Sequence, residues 1–315
     1  MTMTASFIAA IIPMILYLTI IWRADKYEKE PLRFVAIHFL WGAVGAIILG
    51  ISGSFILTYL TGLIGNTSNI GKLVETIIFA PFSEELSKGF FLLYSINSKQ
   101  FDNITDGLVY GSAIGLGFGM TENFIYYILF GTNLNSWLYI VIVRTFFSGL
   151  MHCIATGTFG AFLGKAKFST GIIKHILPFA GLTLAIFIHF MWNISVSFEG
   201  TYFYGFLFMT ILIVFFIIAF KFSLAQEQRI LESELSEESS FGLVPKSHVI
   251  ILSSGLRFRQ GWVAENIRKT YARIAVRLAF NKHQFRNCTY DMKDSIALEI
   301  EKNRDAIRSI LSRNI

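Results

Sequence analysis

Apolar residues run in stretches longer than a soluble core needs, and polar residues gather in the gaps between them. A membrane-spanning helix takes about 20 apolar residues. Stretches of that order recur at Ala5–Trp22, Phe34–Leu63, Leu73–Ile96, Gly107–Phe130, Trp137–Leu163, Ile176–Ser197 and Tyr202–Phe222. The pattern predicts an all-α, polytopic transmembrane bundle of about seven helices. The first run reads as a retained span, because no basic residue precedes it and no small-x-small cleavage site follows. The second is too long for a vertical span and contains Gly42, Gly45, Gly50 and Gly53, so a tilt or kink is expected there.

Past Lys221 the pattern changes to mixed charge. Residues 1–222 read as the membrane bundle and 223–315 as a small helical cytoplasmic tail. Within the tail, Leu224–Glu238 reads as a helix leaving the membrane. Glu237, Glu238, Ser239, Ser240 and Gly242 mark a break, and Gly261–Phe280 and Met292–Leu311 carry apolar residues at helical spacing.

Composition supports this division. The chain of 315 residues is 54% hydrophobic and 15% charged, where soluble domains are about a quarter charged. Its net charge of +6 lies largely in loops and tail, which argues for cytoplasmic loops and not for a nucleic-acid partner. The first loop holds Arg23, Lys26, Lys29 and Arg33, the third Lys99, and the fifth Lys165, Lys167 and Lys174; the second has only Lys72, and the fourth and sixth none. The positive-inside rule then puts the N-terminus outside and the C-terminus in the cytoplasm. Cys153 and Cys288 are the only cysteines, one in an apolar run and one in the tail, and no disulfide framework is indicated.

Ionisable residues inside the predicted spans carry the candidate chemistry, since each costs about 2.5–3.5 kcal/mol at a helix centre on insertion scales. The third span holds Glu84, Glu85 and Lys88, after Pro81. Adjacent helical residues point about 100° apart, so the two carboxylates cannot share one spot, while Lys88 can reach either. The fourth span places Glu122 beyond a run of glycines at 111, 115, 117 and 119, with Tyr126 one turn on as a hydrogen-bond partner. The fifth carries Arg144, Ser148, His152 and Thr156 on one stripe, and the sixth His189 and Asn193. Depth along alternating spans makes Glu84, Glu85, Glu122, His152 and His189 converge between the midplane and the outer face. His38 and His175 sit near basic loops and are not assigned to the site.

Such a set supports hydrolysis of an acyl bond in two ways. His152 and His189 with Glu122 form a ligand set for Zn²⁺ that leaves a position for water. Alternatively, a glutamate acts as general base on water while histidine and Asn193 stabilise the oxyanion. Lys88, Tyr126 and Arg144 take charge-pairing and support roles.

Several segments together resemble the PrsW family of intramembrane proteases. They are Asp25-Lys-Tyr-Glu28-Lys-Glu30-Pro31, Glu84-Glu85-x-x-Lys88, Gly117-x-Gly119-x-x-Glu122-Asn123-x-x-Tyr126, Arg144 followed by His152, and His189-x-x-Trp192-Asn193. The family is distantly related to the CAAX-processing and bacteriocin-immunity membrane peptidases. The resemblance covers residues 7–222 and implies a bacterial inner-membrane peptidase, glutamate- or metal-dependent, acting on a membrane-anchored protein. It also implies site-1-type cleavage of an anti-sigma factor or another envelope-stress regulator. By motif, Glu84, Glu85 and His189 become the catalytic candidates, with Glu122, His152 and Asn193 in support. Two features depart from the pattern: the tail has no counterpart, and CAAX-type relatives have eight spans.

Other protease classes fit poorly. The chain has no HExxH, no aspartate pair within its spans, and Ser148 shares a helix with His152. Two alternatives of a different kind remain: a proton- or ion-coupled transporter using the same carboxylates, and a non-catalytic membrane scaffold.

Overall fold

A computed structural model describes residues 2–63, 68–98, 100–287 and 290–312. Lys99 and Cys288, both singled out above, lie outside the described residues. Helices follow in the order α1 (Met3–Ala24), α2 (Leu32–Leu60), α3 (69–95), α4 (Ile104–Phe130), α5 (Leu134–Lys167), α6 (Ile173–Ser197) and α7 (Tyr202–Ser240), then α8 (Lys246–Leu252), α9 (Glu265–Asn287) and α10 (Tyr290–Ser312). No strand occurs among the described residues. Among the described residues six helices are long and apolar enough to cross a membrane, and the chain is an integral membrane protein. The other expected span, α3, is helical throughout, but Glu75, Glu84, Glu85, Lys72 and Lys88 make it too charged to count by hydropathy. Where a tilt or kink was expected, α2 carries a π-helical stretch, Trp41–Ala46, which includes Gly42 and Gly45.

The described residues pack into two units, one of residues 1–24, 30–167 and 172–220, the other of 25–29, 168–171 and 221–315. In the first, α4 is the central helix: every residue from Thr105 to Gly119 is buried. Its start is fixed by a capping box in which Asn103 and Asp106 bond each other's backbone N–H. Glycines let its neighbours approach. A Cβ on Gly107, Gly111 or Gly115 would stand 2.0, 2.3 or 2.1 Å from the carbonyl oxygens of Gly160, Thr156 and His152 on α5. One on Gly117 would stand 2.0 Å from Phe39 O on α2. Backbone contact of this kind is the small-residue packing used where lipid removes the hydrophobic drive between helices.

In the second unit, Leu231, Leu235, Leu252, Tyr271, Leu278 and Ile307 form a core among the end of α7 and helices α8–α10. The break expected after Ser240 is a turn at Gly242, whose φ of 77° favours glycine. A charged seam crosses this core. Glu238 accepts from Arg304 Nε at 3.0 Å and Nη2 at 2.6 Å and pairs with Lys282 Nζ at 2.6 Å. Lys282 and Arg286 also pair with Glu234 and Glu237. Beside the core, His248 meets Tyr271 Oη at 3.2 Å and packs edge-on to Trp262.

Two outcomes follow from this packing. Gly107→Ala and Gly160→Ala should lower the melting temperature and membrane yield, since overpacking costs about 1–3 kcal/mol even against movable side chains and the obstacle here is backbone. Gly200→Ala, with no atom within 4 Å of the new Cβ, should not. Burial lowers the His248 imidazole below its ordinary value, a backbone bond at Trp262 opposing. Its contribution to tail stability is therefore complete above the unfolded pKa of about 6.5 and is lost as pH falls through the lower folded value. Tail melting should fall between pH 7.5 and 5.5, and His248→Phe should flatten that dependence.

Candidate active site

Four helices of the first unit bring the sequence candidates together. From α3, Lys88 is wholly buried and donates from Nζ to Glu85 Oε1 at 2.6 Å, while Glu84 Oε2 stands 3.9 Å away. The two adjacent carboxylates are thus unequal, as their 100° separation requires. From α5, His152 bridges: its Nδ1 lies 3.0 Å from Lys88 Nζ and its Nε2 lies 2.7 Å from Glu122 Oε2. Thr156, one turn on, donates to Glu85 Oε2 at 3.2 Å. From α6, the His189 Nδ1 donates to Glu85 Oε1 at 2.9 Å, and its Nε2 faces Glu84 Oε2 at 3.8 Å. From α4, Glu122 accepts from Arg144 Nη2 at 2.5 Å, and Asn123 accepts from Arg144 Nε at 2.9 Å. The close α4–α5 approach seats this chain, because a Cβ on Gly119 would stand 3.4 Å from the His152 ring.

Two expected roles change. Tyr126 lays its ring against the Arg144 guanidinium, 3.7 Å from its centroid, in a cation–π contact where a hydrogen bond to Glu122 was expected. Asn193 donates to Thr76 O at 2.9 Å, in the π-helical turn Glu75–Phe79, away from the glutamate–histidine chain. A second π-helical turn, Arg144–Ser148, lies between Arg144 and His152, so the stripe read from four-residue spacing is interrupted there. Such turns concentrate at functional sites and free backbone carbonyls. Sequence reasoning did not assign Thr76, Asn123 or Phe118, whose ring lies 4.1 Å from Lys88 Nζ. For Phe118 the available signal was its place one turn before Glu122 on the same α4 face, and for Asn123 its place beside Glu122 in the motif Gly117-x-Gly119-x-x-Glu122-Asn123. His38 belongs elsewhere, bonded to Phe34 O and Ser95 Oγ and stacked on Tyr110.

Exposure shows where the cluster opens. Side chains of Glu84, Glu122 and Arg144 are 15, 19 and 12% exposed, whereas Lys88, Glu85, His152 and His189 are at most 3%. The first three therefore form the rim and the others the floor. Glu84 Oε2 is shut from solvent and has no hydrogen-bond partner. It is also one corner of the only described group fit to hold a metal: donor atoms of Glu84, His152 and His189 lie within 4.8 Å of one another. Glu84, in place of Glu122, completes the set. Glu85 behind His189 and Glu122 behind His152 supply the carboxylates that usually orient metal-binding imidazoles. A dry, unpartnered carboxylate oxygen beside two oriented histidines fits a Zn²⁺-type ion.

Comparison with known proteins agrees with the geometry. Curated relatives named Protease PrsW include those of Geobacillus kaustophilus, 28% identical over 58% of this chain and 75% of the relative, and Bacillus subtilis, 30% identical over 51% and 68%. The Clostridioides difficile relative is 26% identical over 69% and 88%. No solved structure matches the chain. The description "PrsW family intramembrane metalloprotease" matches residues 30–220, which take in every residue of the cluster. The chain belongs to the PrsW family and is a membrane protease.

Proposed function

We propose that the Glu84–His189 end of the cluster hydrolyses a peptide bond of a membrane-anchored protein. The observation that carries this is the buried, unpartnered Oε2 of the rim residue Glu84, with Glu85, Lys88, His152, Glu122 and Arg144 linked in one chain of contacts. Glu84 Oε2 and His189 Nε2 both accept, so a water between them would be bound through its two hydrogens with a lone pair free to attack. Glu84 takes the proton and returns it to the leaving amide nitrogen. Glu85, held by Lys88 and Thr156, keeps the His189 Nδ1 protonated and its Nε2 open. Of the two cations in the cluster, Arg144 is the partly exposed one and Lys88 is wholly buried. A Zn²⁺-type ion held by Glu84, His152 and His189 would supply Lewis acidity and a more acidic water.

The proposed substrate is a membrane-anchored regulator, such as an anti-sigma factor of an envelope-stress system. Residues 1–222 form the protease and 223–315 a cytoplasmic tail. The alternating basic loops put the N-terminus outside the cytoplasmic membrane. A reporter after Asn133 should then read exterior and one at the C-terminus cytoplasm; both on one side would remove the depth argument.

Glu84→Gln keeps volume but cannot carry a proton, and His189→Ala removes the second acceptor. Each should cut proteolysis by about 10²–10⁴-fold, the range for general-base loss. The readout is terminal-peptide mass spectrometry of membrane proteins from cells expressing wild type or variant at matched level. Wild-type cleavage by a normally inserted Glu84→Gln chain would end this reading and favour a scaffold or transporter.

A further inference from the structure

Lys88 raises a question that proteolysis alone leaves unanswered. An ammonium group only donates, so His152 Nδ1, 3.0 Å from Lys88 Nζ, must be the accepting nitrogen. His152 Nε2 then carries the proton and donates to the Glu122 carboxylate. By the same reasoning His189 donates from Nδ1 to Glu85, leaving its lone pair on Nε2, toward Glu84. The ligand set of Glu84, His152 and His189 therefore has two uncommitted members and one that is taken. His152 Nδ1 has a single lone pair, and Lys88 occupies it.

We infer that Lys88 is a resident cation on the third ligand of this set, so that the site holds a divalent metal only when Lys88 releases His152 Nδ1. This rests on the metal-binding part of the proposed function. Release is feasible in place. Lys88 keeps its 2.6 Å bond to Glu85 and its contact with the Phe118 ring, and needs only to give up the histidine. It is also required by charge, because a divalent ion bound at Glu84 Oε2 would face an ammonium now 3.9 Å from that oxygen. Coordination through His152 Nε2 instead would displace Glu122, which Arg144 holds at 2.5 Å. Lys88 thus competes with any ion for His152 Nδ1 and lowers the affinity of the site.

The test is Zn²⁺ affinity of the full chain in detergent, by competition with a chromophoric chelator. Lys88→Met alone strands Glu85, so the informative protein is Glu85→Gln/Lys88→Met. It removes both charges and keeps an oxygen for the His189 N–H. Its Kd should lie about 10–100-fold below that of Glu85→Gln alone, the reference that carries the same loss behind His189. Equal or weaker binding by a double variant with wild-type melting and gel-filtration behaviour would overturn the role of Lys88 and leave the metal reading standing. If neither protein binds Zn²⁺ better than His152→Ala/His189→Ala, both ideas fall together.

Discussion

Charge that water cannot reach has to be matched by charge or hydrogen bonds from the protein, and the membrane unit is organised around that requirement. Arg144, Glu122, His152, Lys88, Glu85 and His189 form one unbroken chain of contacts across four helices. Removing an inner member leaves its neighbours buried and unpaired. The helices cannot slide past one another without breaking the chain, so a polar network sets the register of an otherwise apolar bundle.

That network needs backbones close enough for short side chains to meet. His152 reaches Glu122 and Lys88 because α4 offers no Cβ at Gly115 or Gly119, where one would meet His152 O at 2.1 Å or the His152 ring at 3.4 Å. The glycine stripe and the polar chain are two faces of one device: the first brings α4 against α5, the second fixes how far along each other they lie. Burial of α4 on all sides, from Thr105 to Gly119, follows from its central place.

Much of this was legible in the chain. Long apolar runs show the helices, and charges within them mark groups that must find partners. The inequality of Glu84 and Glu85 follows from helical geometry alone. Glu84 as a metal-ligand candidate was not legible, because depth along a span says which residues share a level and nothing about side-chain direction. The contacts of Glu122 with Arg144 and His152 show that it is already engaged. The partner of Asn193 was hidden for a similar reason. It is a backbone carbonyl in a π-helical turn, and no residue pattern announces such a turn. The tail helices were found by their periodicity, but their ends moved by several residues, as in Glu265–Asn287 where Gly261–Phe280 was expected.

The two units use the same residue types to different ends. In the tail seam, Glu234, Glu237 and Glu238 face Lys282, Arg286 and Arg304, so carboxylates and cations are equal in number. In the membrane cluster, Glu84, Glu85 and Glu122 face only Lys88 and Arg144, and the histidines already have partners that do not require them to be charged. A seam whose charges cancel is sufficient in itself and holds helices together. A buried cluster with one negative charge in excess is incomplete, and it must acquire a proton or a cation. The excess sits on Glu84, a rim residue whose Oε2 is nevertheless shut from solvent and without a hydrogen-bond partner. The imbalance therefore points the proposed chemistry to Glu84, whose Oε2 no hydrogen bond engages.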